Sequence, residues 1–232
     1  MRIGSLFSGI GGFDLGLERA GHKVIWQSEI DPYACRVLKK HWPDVPNLGD
    51  ITAIDWSGVE RPDCVCGGFP CQDISVAGKG AGIEGKRSGL WTEFARCIRE
   101  IRPSFVVVEN VSDLLVRGLD VVLGTLARLG FDAEWSIVSA CSMGAPHTRE
   151  RMFIVCNSLR GRFGRNEWRQ YGPLIPSRLR WATEPGICRV GNGIPNRVDR
   201  IRTLGNAVVP QVAEWIGHRL NTLTTEGTSC SS

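Results

Sequence analysis

A chain of 232 residues, 42% hydrophobic and 22% charged, has the apolar content for a packed core and lacks the charge excess of a disordered one. It contains no apolar run of about 18 residues, and Met1 leads into Arg2-Ile3-Gly4 without a signal-peptide core, so a cytoplasmic protein without a membrane span is expected. The net charge of +4 is unevenly placed: residues 1–148 carry 15 basic and 18 acidic side chains, whereas residues 149–202 carry 12 arginines, no lysine and four acids.

Short apolar runs at 3–6, 24–28, 64–66, 105–108, 135–138 and 152–156 predict strands. Between them, residues 13–20, 33–41, 91–101 and 119–129 have helical periodicity. This alternation predicts an α/β fold of βαβ units, with a mainly parallel sheet and helices on both faces. Phe105-Val106-Val107-Val108 is apolar without alternation, as a central strand covered on both faces should be. Residues 157–195 are rich in Arg, Gly, Pro and Trp and show no period, and a stretch of this length without periodicity is often functional. Helical spacing returns over 208–223, with Val208, Val212, Trp215, Ile216 and Leu220 in register; residues 224–232 are small and polar, and a disordered tail is expected there.

Five motifs carry chemistry. Leu6-Phe7-Ser8-Gly9-Ile10-Gly11-Gly12 follows a strand and opens a helix, so its glycines bring backbone amides close to a ligand. A dinucleotide fingerprint needs a glycine where the sequence has Asp14, so the loop suits an adenosine-containing ligand instead. Glu29, about 20 residues on, sits where a carboxylate binds ribose hydroxyls; a tight turn beside a surface acid is the plainer reading of the pair. Gly67-Gly68-Phe69-Pro70-Cys71-Gln72 places one cysteine in a Gly/Pro turn at a strand's carboxyl end, where thiolate is favoured. The other eight cysteines are expected to be inert, the odd and scattered set argues against a disulfide framework, and Cys64-x-Cys66 lacks the spacing of a metal site. Glu109-Asn110-Val111 ends an apolar strand; a carboxyl partly desolvated there can hold and donate a proton, or simply cap the next helix. Arg149 and Arg151, two apart in an extended stretch, should face the same way and hold a base oxygen or a phosphate. Gly205-Asn206-Ala207-Val208 places an asparagine in a turn before the last helix, near Pro210.

In this order, over residues 1–156 and 201–220, the five motifs resemble those of the cytosine-C5 DNA methyltransferase family. The resemblance implies a Rossmann-like, S-adenosylmethionine-dependent methyltransferase fold with a short irregular recognition region. It implies methyl transfer to C5 of a cytosine flipped out of duplex DNA, through a covalent Cys71 adduct. Glu109 would protonate N3, and Arg151, with Arg149 beside it, would support the bound base. Phe7, Gly9, Ile10 and Gly12 would contact the cofactor, Glu29 its ribose and Asp50 its adenine amino group. Ile30, Ile51, Pro70, Leu90, Asn206 and Val208 would complete that pocket, with Ile30 replacing the family's frequent aromatic. Gln72, Lys79, Lys86 and Arg87, in a mobile loop over 72–89, would meet DNA. No metal or membrane is implied; a monomer is expected, with a protein partner for target recognition as a further option.

The division implied is a catalytic and cofactor-binding domain over 1–156, a reduced target-recognition region over 157–200, a turn and helix over 201–223 returning to the catalytic domain, and the tail. The reduced region suits a compact phage-type or restriction-modification enzyme. Two other readings stay open: a tRNA cytosine methyltransferase of the same family, against which Phe69-Pro70-Cys71-Gln72 argues, and a catalytically silent DNA-binding relative. A nicotinamide-dependent oxidoreductase is disfavoured by Asp14.

Overall fold

The computed structural model describes residues 1–70, 89–158 and 197–226. β1 (Arg2–Leu6), α1 (Gly12–Arg19), β2 (Lys23–Ser28) and α2 (Pro32–His41) open the chain. Asp31 starts α2 by accepting hydrogen bonds from the amides of Tyr33 and Ala34, with Pro32 preset for the first turn. Two short 3-10 turns, Ile51–Ala53 and Trp56–Gly58, lead to β3 (Cys64–Gly68). Next come α3 (Gly89–Ile101), β4 (Phe105–Asn110), α4 (Leu114–Arg117), α5 (Leu119–Arg128) and β5 (Phe131–Ser139). β6 (Glu150–Ser158), α6 (Arg197–Asn206) and α7 (Pro210–Glu226) complete the described elements.

The six strands form one sheet in the order β2-β1-β3-β4-β6-β5. β1 pairs in parallel with β2 and β3, and β3 with β4. β6 runs antiparallel to both its neighbours, so the expected mainly parallel sheet is mixed, with its parallel part formed by β2, β1, β3 and β4. After β2 the chain crosses back over β1, and the crevice between the carboxyl ends of β1 and β3 lies at this switch point.

Both faces of the sheet are covered, which explains why β4 reads as continuously apolar. Val106 and Val108 pack with Trp91, Phe94 and Ile98 of α3 and with Val122 and Leu126 of α5. Phe105 and Val107 belong to the opposite cluster, with Phe13 and Leu17 of α1 and Val212, Ile216 and Leu220 of α7. The crossing of α1 and α7 depends on glycine: a Cβ at Gly16 would lie 2.3 Å from the carbonyl oxygen of Pro210. α6 was not foreseen; helical structure was expected only from residue 208, yet it begins at Arg197, and Asn206 ends this helix instead of standing in a free turn. No described helix is long and apolar enough to cross a membrane.

Candidate active site

A cavity of about 600 Å³ opens at the switch point. Phe7, Gly9 and Gly12 line it from β1 and α1; Glu29, Ile30, Asp50 and Ile51 line it beyond β2. Pro70, Leu90, Asn206 and Val208 also line it, so segments distant in sequence share one wall. Ile10, expected among them, is not a lining residue; it lies in the turn between Gly9 and Gly11.

The loop after β1 is bent sharply, with φ of 51° at Phe7, 56° at Gly9 and 84° at Gly11. This turns the Gly9 amide towards Glu29, where it donates to Oε2 at 2.8 Å. Glu29 Oε1 accepts from the amides of Ile30 (2.9 Å) and Asp31 (2.7 Å). Three of the roughly four acceptor positions of this carboxylate are therefore committed to the backbone. What remains is one oriented acceptor direction on a rigidly held group. Asp50 caps the Ile51–Ala53 turn, its Oδ1 accepting from the amide and hydroxyl of Thr52, and these bonds lower its pKa. Ile30 is 67% exposed and adds an aliphatic side chain to the lining that holds the two acids.

The other end of the cavity is built by β3, β4 and β6. Gly68 and Glu109 are partners in the β3–β4 register, and a Cβ at Gly68 would lie 2.5 Å from Glu109 Oε2. Only glycine leaves room for this carboxyl group. Glu109 is buried, and loss of hydration pushes its pKa up to about 7, against the opposing pull of Arg151 and Arg149. Arg151 Nε lies 3.1 Å from Glu109 Oε1, and its side chain is also mostly shielded from water. Asn110 Nδ2 donates to the Phe69 carbonyl at 3.0 Å, fixing the backbone two residues before position 71.

Arg149 departs from the expected geometry. It does not line the cavity with Arg151; its Nη2 donates to the carbonyls of Gly205 (2.6 Å) and Ala207 (2.8 Å). It clasps the end of α6, which carries Asn206, and influences Glu109 only through its charge. Cys71, Gln72, Lys79, Lys86 and Arg87 lie outside the described residues. Cys64, Cys66, Cys97 and Cys156 are buried, and burial raises the pKa of each thiol. Among the described residues no group of three or more His, Cys, Asp or Glu is arranged to hold a metal ion.

A family model for C-5 cytosine-specific DNA methylases matches residues 1–163. The chain belongs to this family. Type II methyltransferase M.HhaI of Haemophilus parahaemolyticus is 35% identical over 160 residues, covering 67% of this chain and 49% of the relative. Type II methyltransferase M1.ScrFI of Lactococcus lactis subsp. cremoris is 35% identical over 220 residues, 92% of this chain and 52% of its own, so that match continues past β6. The chain spans about half the length of these curated relatives. The solved S. pombe Dnmt2 methyltransferase superposes with a TM-score of 0.60 at 18% identity, over 72% of this chain and 51% of that one, a likeness of fold. The Rossmann-like methyltransferase fold of the family accounts for the mixed sheet and for the cavity's place at the carboxyl ends of β1 and β3.

Proposed function

We propose that the protein transfers a methyl group from S-adenosylmethionine to C5 of cytosine in DNA. The observation that carries this is one cavity joining two acids on a backbone cradle to the buried Glu109–Arg151 pair. The residues present fit the cofactor. Glu29 and Asp50 supply acceptors for a ribose hydroxyl and an adenine amino group, Ile30 and Ile51 an apolar face, and the volume suits a nucleoside beside a base. When bound, S-adenosylmethionine supplies an electrophilic methyl group on sulfur.

The chain's own groups make C5 able to accept that methyl. The Cys71 thiolate forms a bond from Sγ to C6 of the ring, and the electrons displaced collect at C5 and N3. Glu109, which keeps its carboxyl proton to about pH 7, gives N3 that proton, while Arg151 orients the carboxyl and faces the base. After C5 is methylated, a base removes its proton, the Sγ–C6 bond breaks and N3 returns its proton to Glu109, restoring the aromatic ring, the thiolate and the acid. C6 is covered in a base stack, so the target cytosine must turn out of the duplex first. Gln72, Lys79, Lys86 and Arg87 contact DNA around it, and residues 157–200 form the reduced target-recognition region. Arg149 acts by holding the segment that carries Asn206.

The test is incubation of the full chain with labelled S-adenosylmethionine and duplex DNA, followed by sequencing for 5-methylcytosine. Label in C5 of cytosine, lost in Cys71→Ser, is the expected result. Label in tRNA and none in DNA would overturn the choice of polymer, and no transfer to either would favour a silent DNA-binding relative.

A further inference from the structure

We propose that Asn47 is a positioning residue for the nucleoside half of the cofactor, holding Glu29 and Asp50 in one arrangement through the backbone between them. The inference rests on the proposed cofactor role of those two acids. β2 is an edge strand, and the chain returns beside it only briefly: Gln27 bridges Asn47 in parallel, with the Gln27 amide donating to Pro46 and the Leu48 amide donating to the Gln27 carbonyl. Two residues on, at Glu29 just past the end of β2, backbone pairing stops because the returning chain turns away at Gly49, where φ is 76°.

The side-chain amide of Asn47 takes the place of the missing strand. Its Oδ1 accepts from the Glu29 amide at 3.0 Å and from the Gly49 amide at 3.2 Å. Its Nδ2 donates to the Glu29 carbonyl at 3.1 Å and to Cys35 Sγ at 3.3 Å. Both backbone groups of the first acid and the amide just before the second thus converge on one planar group. A carboxamide suits this task because it is donor and acceptor at once. Asn47 itself does not line the cofactor cavity; it lines a smaller cleft of about 220 Å³ behind the wall, with Gln27 and Cys35. It therefore acts through Glu29 and Asp50 and not by touching the ligand.

The experiment is calorimetric titration of the full chain with S-adenosylmethionine and, separately, with adenosine, in wild type, Asn47→Ala, Asn47→Asp and Glu29→Gln. Loss of a clamp of this kind should weaken both ligands about tenfold in Asn47→Ala. KM for S-adenosylmethionine should rise by the same factor with kcat largely kept. Asn47→Asp keeps the acceptor and removes the donor, so a smaller loss, about threefold, is expected, and this variant carries the test if the alanine protein does not fold. Wild-type adenosine affinity in the Asn47 variants, with binding lost in Glu29→Gln, would overturn the positioning role and leave the cofactor reading standing. Unchanged binding in Glu29→Gln would overturn the reading beneath it as well.

Discussion

At the scale of single residues, the site turns on whether Glu109 carries a proton. Burial raises its carboxyl to about 7 from an ordinary 4.5, and Arg151 at 3.1 Å keeps it from rising further. Donation to N3 requires the protonated form, so the rate of methyl transfer should fall as pH climbs through about 7. Glu109→Gln should remove that alkaline limb and lower the plateau by about a hundredfold or more, the usual contribution of a positioned acid. Single-turnover rates between pH 6 and 9 decide it; a limb that persists in Glu109→Gln would assign the titration to another group. Phe7, Glu29, Pro70 and Glu109 were legible because each stands at or just past a strand's carboxyl end, where side-chain identity has a chemical consequence. Their partners were not. Arg149 looks like a second guanidinium for the base until its two carbonyl partners are seen, and a backbone carbonyl at Gly205 or Ala207 leaves no mark on the sequence.

At the scale of elements, one buried carboxyl ties the first three together. Asp14 of α1 accepts from Ser5 Oγ of β1 (3.0 Å) and from Gln27 Nε2 of β2 (2.7 Å). Burial raises its pKa from 3.8 to about 6 despite those bonds, which favour the charged form. A group whose folded value lies above its unfolded one stabilises the fold most when protonated in both states. That contribution should be lost as pH rises from about 4 to about 6, amounting to roughly 2–3 kcal/mol. Asp14→Asn keeps the shape and cannot ionise, so its stability advantage over wild type should grow from pH 4 to pH 7 in urea denaturation. Parallel pH profiles for the two proteins would refute the assignment. The same elements show what patterning can convey. Periodicity located β1 to β5 and the main helices, but the apolar run at 152–156 reads alike in either direction, so the antiparallel course of β6 was not in it. A signal lay in the connection: ten residues separate Ser139 from Glu150, too few for a parallel crossover of about a dozen or more. α6 escaped because its apolar positions are sparse among arginines, and Val198 and Leu204 face solvent.

At the scale of the whole molecule, the chain closes on itself and separates its charge. α7 returns to α1, burying Val212, Ile216 and Leu220, so a wall of the main cavity at Asn206 and Val208 comes from the far end of the sequence. Residues 1–148 carry a net charge of −3, whereas residues 149–202 carry a net of +8. If that excess meets the phosphates of DNA, binding releases counterions and must weaken with salt. If the eight net charges of residues 149–202 each neutralise one phosphate, this segment contributes about −7 to the slope of log K against log salt. Uniform replacement of Arg160, Arg162 and Arg165 by glutamine should make the slope shallower by up to about 3 while leaving S-adenosylmethionine affinity unchanged. Fluorescence anisotropy of a labelled duplex across 50 to 300 mM salt, about the range in which such contacts are lost, measures both. A flat salt dependence would mean that the arginine-rich segment is a solvated surface, and that the duplex is held elsewhere.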